Sequence, residues 1–404
     1  MPGGRAFNII ILAIFIDVVG FGMIVPVLPY LNFVYGGDTF TGTGLISIYA
    51  LMVFVGGPIW GKLSDRYGRR PTMMATFLGA VFANLSLAHA DSLLMLYIAR
   101  GFAGLMAGNV AIALATAADL TTHHDRGKAM GFIGAAFGLG FALGPGIGGF
   151  FSGTSTNPDI SIPAYFAMLA SFVALVLTYL WFPETKNDGL DTEPDLENPT
   201  TPPEPLHVSG EKHSLKDLLW PLPNAVIFIF FMICAMAQSA TFSITPFWAT
   251  AVLGWDQKQV GLLLMETGIS VAFVQAVAVG PLFQKFGEVK TIILGCSLSI
   301  IGSLIMLGNA GVYQVYTGLP LIFSGLTVSF PALNSLLSKR TSRKIQGEAM
   351  GFSNGMGAIG RVIGPLVAGF VFIAYSPDVP FMMVILLCLV TIIWGYWEIH
   401  RKKL

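Results

Sequence analysis

Twelve apolar stretches, each long enough to cross a lipid bilayer as a helix, constrain this chain more than any other feature of its sequence. A hydrocarbon core of about 30 Å takes about 20 helical residues. Stretches of that kind run near 6–35, 41–62, 71–90, 92–119, 127–153, 162–183, 221–253, 257–284, 289–309, 313–338, 347–374 and 379–400. Several exceed the minimum and are expected to tilt or kink. A length of 404 residues would otherwise suggest two or three soluble domains, but only 11% of the residues are charged. Soluble domains carry about a quarter. A chain this poor in charge cannot cover a surface in water, so the expected fold class is an all-α membrane protein of twelve transmembrane helices.

The basic residues orient it. With the N-terminus cytoplasmic, the cytoplasmic segments hold Arg5; Lys62, Arg66, Arg69 and Arg70; Arg126 and Lys128; Lys186, Lys212 and Lys216; Lys285 and Lys290; Lys339, Arg340, Arg343 and Lys344; and Arg401, Lys402 and Lys403. Lys258 alone falls on the far side, and Arg100 and Arg361 fall inside spans. This alternation satisfies the positive-inside rule loop by loop, with both termini cytoplasmic in a cell (inner) membrane. The first apolar stretch runs past Asp17 to about Val34 without a small-residue cleavage site, so it reads as a span and not as a signal peptide.

One segment breaks the pattern. From Glu184 to Lys216 the chain is rich in proline and acidic residues, and it reads as a flexible cytoplasmic linker. It divides a first six-helix bundle, 1–183, from a second, 217–404. The two are related. GKAMGF at 127–132 recurs as GEAMGF at 347–352, each followed at the same spacing by Gly-Pro (144–145, 364–365) and Gly-Phe (149–150, 369–370). A second echo pairs Gly61–Gly68 with Gly280–Gly287. Two echoes in register point to duplication, an architecture of transporters that hold substrate near the midplane between the halves.

Several function classes drop out. The net charge is zero, which gives no electrostatic basis for nucleic-acid binding. Cys234, Cys296 and Cys388 lie in separate apolar stretches and read as small buried hydrophobes. The adjacent His123 and His124 read as a solvated loop. No phosphate-binding loop, zinc-binding helix or nucleophile elbow is present, so neither enzymatic activity nor a bound cofactor is expected.

The chemistry lies in residues that hydrocarbon should reject. Asp17 falls about eleven residues into the first span, where an ionised group must face a cavity, find a partner or take up a proton. Arg100 lies in the outer half of the fourth span, as a partner for Asp17 or for backbone carbonyls. Glu266 and Arg361 fall near the middle of the eighth and eleventh spans, to pair with each other or to line a cavity. Asn109, Gln238, Gln275, Phe330 and Asn334 are further lining candidates. After the second span comes GKLSDRYGRRP, 61–71, in which Gly61 and Gly68 permit a tight turn and Asp65 and Arg69 stand four apart. Arg66, Arg69 and Arg70 suit anionic headgroups. The fifth span carries GLGFALGPGIGGF, in which Gly140, Gly144, Gly148 and Gly149 allow close helix approach and Pro145 bends the helix.

These motifs resemble the major facilitator superfamily and, within it, the drug–proton antiporter branch. GKLSDRYGRRP is similar to the signature between that family's second and third helices. DVVGFGMIVPVLP at 17–29, YIARGFAGLMAG at 97–108 and GFALGPGIGGF at 140–150 resemble its first-, fourth- and fifth-helix motifs, the last regarded as marking antiporters. The resemblance implies two pseudo-symmetric six-helix bundles. It implies proton coupling at Asp17 and Arg100, and a switch built from Asp65, Arg69 and Asp119. That switch would latch the halves with Asp65 near the start of the eleventh helix in the outward-open state. The implied activity is proton-coupled export of small amphipathic molecules by a monomer driven by the proton gradient. The nearest pattern is that of tetracycline and multidrug exporters, with two departures. The acidic residue that tetracycline exporters carry in the third span is absent, with Ala83 and Asn84 in that region, and Val271 stands where they carry histidine. Both point away from tetracycline itself, or at least from its metal-chelated form, as cargo. Two other readings use the same fold: a proton symporter importing a polar metabolite, and a membrane sensor or enzyme on a transporter scaffold.

Overall fold

Inside a bilayer no water is available to backbone N–H and C=O groups, so a chain of apolar stretches satisfies them within helices. The computed structural model describes residues 5–120, 126–154, 157–184, 222–308, 311–341 and 345–401. It contains twelve helices long and apolar enough to cross a membrane. The spans are, in order, Arg5–Ile24 with Leu28–Val34, Thr39–Tyr67, Arg69–Ala88, Leu93–Met106 with Asn109–Leu120, Arg126–Phe151, Ser161–Trp181, Leu222–Leu253, Gln257–Val277, Val279–Met306, Val312–Arg340, Gln346–Ala374 and Val379–Arg401. The linker at 185–216 lies outside the described residues, as do His123, His124, Lys186, Lys212, Lys216, Arg343, Lys344, Lys402 and Lys403.

Two spans break where the sequence removes backbone bonds. The first is interrupted between Ile24 and Leu28 around Pro26, with Pro29 opening the second segment. The fourth is interrupted at Ala107–Gly108, where the Trp60 indole donates to the freed carbonyl of Leu105 at 2.6 Å. This second break brings Asn109 to the start of a new segment.

The structure corrects one expectation. Gly61–Tyr67 is not loop but the end of the second helix, and the chain turns at Gly68 alone (φ 102°, ψ 161°). Continued helix keeps those backbone groups bonded, and only a residue without Cβ adopts the turn easily. In the second half the matching turn is Gly287 (φ 72°, ψ 175°), which separates two helical segments within Val279–Met306. Thr72 donates its hydroxyl hydrogen to the Gly68 carbonyl at 2.8 Å, and Thr291 does the same to Gly287 at 2.7 Å. The sequence echo is therefore also an echo of backbone conformation.

Packing follows the repeat. In the first half the first span packs on the fifth and sixth, the third on the sixth, and the second on the fourth. In the second half the seventh packs on the eleventh and twelfth, the ninth on the twelfth, and the eighth on the tenth. The seam is made by the fifth span on the eighth and the eleventh on the second, the two contacts a two-fold axis would exchange. Each half has its own apolar core. Cys234, Cys296 and Cys388 come from three different spans yet meet in the core of the second half, where the Cys296 thiol is within hydrogen-bonding reach of the other two. Large apolar side chains such as Leu94, Phe273 and Ile393 remain exposed on the outside, as a lipid-facing surface requires.

The seam is closed at one end and open at the other. At the face opposite the chain ends, the Tyr30 hydroxyl donates to the Trp255 carbonyl at 2.8 Å, and the Phe33 and Phe247 rings meet edge to face at 5.6 Å. Nearer the middle, Ser47 donates to the Val362 carbonyl at 2.9 Å. Toward the face carrying the chain ends, Gly131, Gly134 and Gly138 of the fifth span and Gly347 and Gly351 of the eleventh have empty space beside them. The cavity between the halves therefore opens at the terminal face.

Candidate functional site

The buried charges of the first half gather around the break in the fourth span. Asn109, placed by that break, donates its amide to the Asp17 carboxylate, and Ser171 of the sixth span donates to the other carboxylate oxygen at 3.0 Å. Asn84 of the third span stands 3.5 Å behind Ser171. Four helices thus meet at one carboxylate. A small cavity beside it is lined by Asp17, Phe21, Tyr49, Asn84, Arg100 and Asn109 among others.

Arg100 is within this cavity wall but forms no ion pair with Asp17 among the described residues. It is 1% exposed, with its guanidinium 4.5 Å from the Tyr49 ring and 5.2 Å from the Phe21 ring. Its Nε has no hydrogen-bond partner among the described residues. The cation is held by aromatic faces, has no ion-pair partner among the described residues, and lines the same small cavity as Asp17. Such an arrangement can make the carboxylate respond to proton occupancy, because no fixed salt bridge competes for it. Sequence reasoning missed Phe21, Tyr49 and Ser171. Ordinary apolar spacing hides the two rings, and a serine within a span carries no signal of its own.

The seven cavity candidates do not form one group. Asn109 belongs to the Asp17 cluster. Gln238 bonds Thr327 at 3.1 Å, and Phe330 packs on Phe231 at 6.5 Å, both within the second half. Asn334 is half-buried on the tenth span and Gln275 is exposed on the eighth. Glu266 shares the face of Leu262, Ile269 and Phe273, which are 39%, 50% and 65% exposed. The opposite side of that helix meets the fifth span, where Gly261 and Gly268 pack against Gly149 and Ala142. Glu266 therefore sits on an outer flank, accepting from Ser270 at 3.1 Å, with its other carboxylate oxygen buried and unbonded. Glu266 and Arg361 form no ion pair among the described residues. Arg361 is exposed midway along the eleventh span.

The charge cluster at the second turn is assembled. Arg69 donates to Asp65 at 2.6 Å, to Asp119 at 2.8 Å and to Ser64 at 3.1 Å. Glu184, read from the sequence as the first residue of the flexible linker, instead accepts from the backbone N–H groups of Arg69 and Arg70 at 2.8 and 3.2 Å, a carboxylate at a helix N-terminus. Arg70 lies over the Tyr179 ring and Arg66 over that of Tyr67. Asp65 is 70% exposed, and Gly347 at the start of the eleventh span has open space beside it. Among the described residues, Asp65 makes no hydrogen bond or ion pair with the eleventh span. The second half repeats the cluster with its signs reversed. Glu288, one residue after the turn glycine like Arg69, pairs with Lys339 at the end of the tenth span, where Asp119 ends the fourth. Arg340 pairs with Glu398 nearby.

The exposures rank the expected effects. Arg69→Ala strips Asp119, 29% exposed, of its cation, and should cost about 1 kcal/mol of stability. Asp65→Ala removes a carboxylate 70% exposed and should cost under about 0.5 kcal/mol. Thermal melts of the purified variants check this ranking, and a larger loss for Asp65→Ala would refute it.

The fifth span divides its glycines between two neighbours. Gly140, Gly144 and Gly148 press on Phe15, Val19 and Met23 of the first span, while Gly146 and Gly149 press across the seam on Met265 and Gly261 of the eighth. Gly360 and Gly364 press likewise on the seventh span, and Gly369 on the second. Close packing within a half and sealing between halves are thus separate duties of one helix. Pro145 lies at the same seam, its carbonyl facing Gly261.

Comparison with known proteins agrees with this architecture. The family model described as Major Facilitator Superfamily matches residues 10–326 and 227–403. The tetracycline resistance protein, class H, of Pasteurella multocida is 31% identical over 406 residues, covering 99% of this chain and 97% of that protein. Multidrug resistance protein 1 of Bacillus subtilis (strain 168) is 26% identical, covering 90% of this chain and 89% of its own length. The solved structure of the nucleoside transporter NupG superposes with a TM-score of 0.76 at 12% identity over 97% of this chain and 99% of that one, a likeness of fold alone.

Proposed function

The chain belongs to the Major Facilitator Superfamily, and from that premise we propose that it is a proton-coupled exporter of small amphipathic molecules working by alternating access. Relatives named for tetracycline and multidrug resistance support export over import. The observation that carries the coupling is the Asp17 cluster: a carboxylate inside a span, held by Asn109 and Ser171 and lining the same small cavity as a guanidinium with no ion-pair partner among the described residues. An ionised carboxylate there is costly and a protonated one is not, so occupancy by a proton biases which arrangement of the halves is stable.

In the cycle, substrate enters the cavity open at the terminal face, taken as cytoplasmic from the basic residues of the loops. The halves rock, the cavity opens on the other side, and a proton taken up at Asp17 drives the return. Arg69 with Asp65 and Asp119, and their sign-reversed counterparts Glu288 and Lys339, hold each half rigid at its turn. Asp65, exposed while it pairs with Arg69, lies where it can meet the start of the eleventh helix when that end closes. Asn84 in place of an acid favours cargo other than metal-chelated tetracycline.

Expression in an efflux-deficient host tests the proposal. Resistance to some members of a panel of tetracycline, other antibiotics and aromatic dyes is expected to rise about fourfold or more (roughly 0.8 kcal/mol on a free-energy scale). A protonophore should abolish the gain. Efflux that survives collapse of the proton gradient would exclude proton coupling.

A further inference from the structure

Arg361 is a cation in mid-span with no neutralising partner among the described residues. No hydrogen bond or ion pair of its guanidinium is found among the described residues. Its direction is fixed by its neighbours on the helix. Ile359, Ile363 and Phe370, 36%, 38% and 58% exposed, mark the lipid side. Gly360 and Gly364 press on the seventh span, and Val362 and Gly369 meet the second. At 100° per residue, Arg361 lies between those two packed faces and opposite the lipid side, so it points into the space between the halves. Asn354, two turns toward the open end on the same stripe, is exposed as well.

The contrast with Arg100 is instructive. Arg100 is sealed between two rings and 1% exposed, whereas Arg361 is open to the cavity and its planar fork of donors is free. The roof of that cavity is aromatic. Phe141 of the fifth span stands 6.2 Å from Phe21 and, across the seam, 5.1 Å from Phe242 of the seventh, which stands 6.4 Å from Phe323. Gly364 packs at Ser239 and Ala240, which puts Phe242 within about a turn or two of the level of Arg361. Glu266, the acid nearest mid-span in this half, faces the outer flank and leaves the cation uncancelled.

We infer that Arg361 is the anion-recognising residue of the central cavity, and that the cargo includes amphipathic aromatic molecules bearing a carboxylate, sulfonate or enolate. The guanidinium fork pairs with the anionic group while the rings of the cargo pack on the aromatic roof. An unpaired cation on the wall also disfavours cationic cargo by repulsion. This inference rests on the exporter reading for its use but not for the binding it requires.

Two xanthene dyes of opposite charge, fluorescein and rhodamine 123, with an anilinonaphthalene sulfonate as a second anion, give the test. Binding is measured on the purified full chain in nanodiscs, and gradient-driven uptake on proteoliposomes. The wild type is expected to bind both anions. In Arg361→Gln their affinity should fall about 10- to 100-fold, the scale of a charge-assisted hydrogen bond, and the preference for fluorescein over rhodamine 123 should be lost. Arg361→Lys, which keeps the charge without the fork, should recover part of the affinity and shows that loss in the glutamine variant is not misfolding. Absence of binding by either anion, or equal binding by wild type and Arg361→Gln, overturns the inference even if rhodamine 123 is transported. Anion binding that depends on Arg361 without gradient-driven uptake of any dye upholds it and overturns the exporter reading instead.

Discussion

Asp17→Asn is expected to bring proton-driven uptake in inverted vesicles down to the background of protein-free vesicles. That is a loss on the order of 100-fold, the scale of removing an essential proton-transfer group. The substitution is nearly isosteric. Its side-chain oxygen can still accept from Asn109 or Ser171, so the four-helix junction keeps most of its hydrogen bonds. What it loses is the ability to alternate between charged and neutral forms. Counterflow, the exchange of labelled for unlabelled substrate without net proton movement, should therefore persist in the variant. That pairing separates a coupling defect from a folding defect. Gradient-driven uptake at wild-type levels by Asp17→Asn would remove Asp17 from the mechanism. Loss of counterflow together with uptake would assign it to substrate binding or packing.

The parts of this architecture that the sequence revealed are those governed by period and position. Span number followed from stretch length against bilayer thickness. The two-fold relation followed from glycines recurring at fixed offsets, because glycines are where helices must touch: Gly149 meets the eighth span and Gly369 meets the second by the same geometry. Asp17 and Arg361 stood out because a charge in hydrocarbon demands a reason. What stayed hidden depends on the direction in which a side chain points. Glu266 and Arg361 looked alike as mid-span charges, yet one lies on an outer flank and the other faces the cavity, a difference set by helix rotation. Arg100 looked like a counter-ion for Asp17, but stacks on Phe21 and Tyr49, which have no distinctive spacing. The pairing of Glu288 with Lys339 was within reach of the sequence, since both follow from carrying Arg69 and Asp119 across the repeat, but the sign reversal conceals it from a search for matching residues.

Gly149→Leu is expected to open the sealed face and shift the protein out of the arrangement seen here. A Cβ at Gly149 would stand 3.0 Å from the Gly261 Cα and 3.2 Å from the Gln257 carbonyl carbon, both backbone atoms of a packed helix that cannot swing aside. Overpacking of this kind costs about 1–3 kcal/mol, which changes a two-state population by about 5- to 150-fold. The cost falls only on the state in which the fifth and eighth spans touch at this level, so it acts as a bias between states and not as uniform destabilisation. A thiol placed at Phe247, which the closed face covers against Phe33, reports the change. In the Gly149→Leu background, Phe247→Cys should react with a membrane-impermeant maleimide at least about tenfold faster, and transport should fall because the return to this state is blocked. Gly134→Leu is the matched control. It lies on the same helix but has open space beside it here, so it should leave the labelling rate near that of the parent. Equal labelling of all three proteins would show that the glycine contact between the fifth and eighth spans does not hold the sealed face shut.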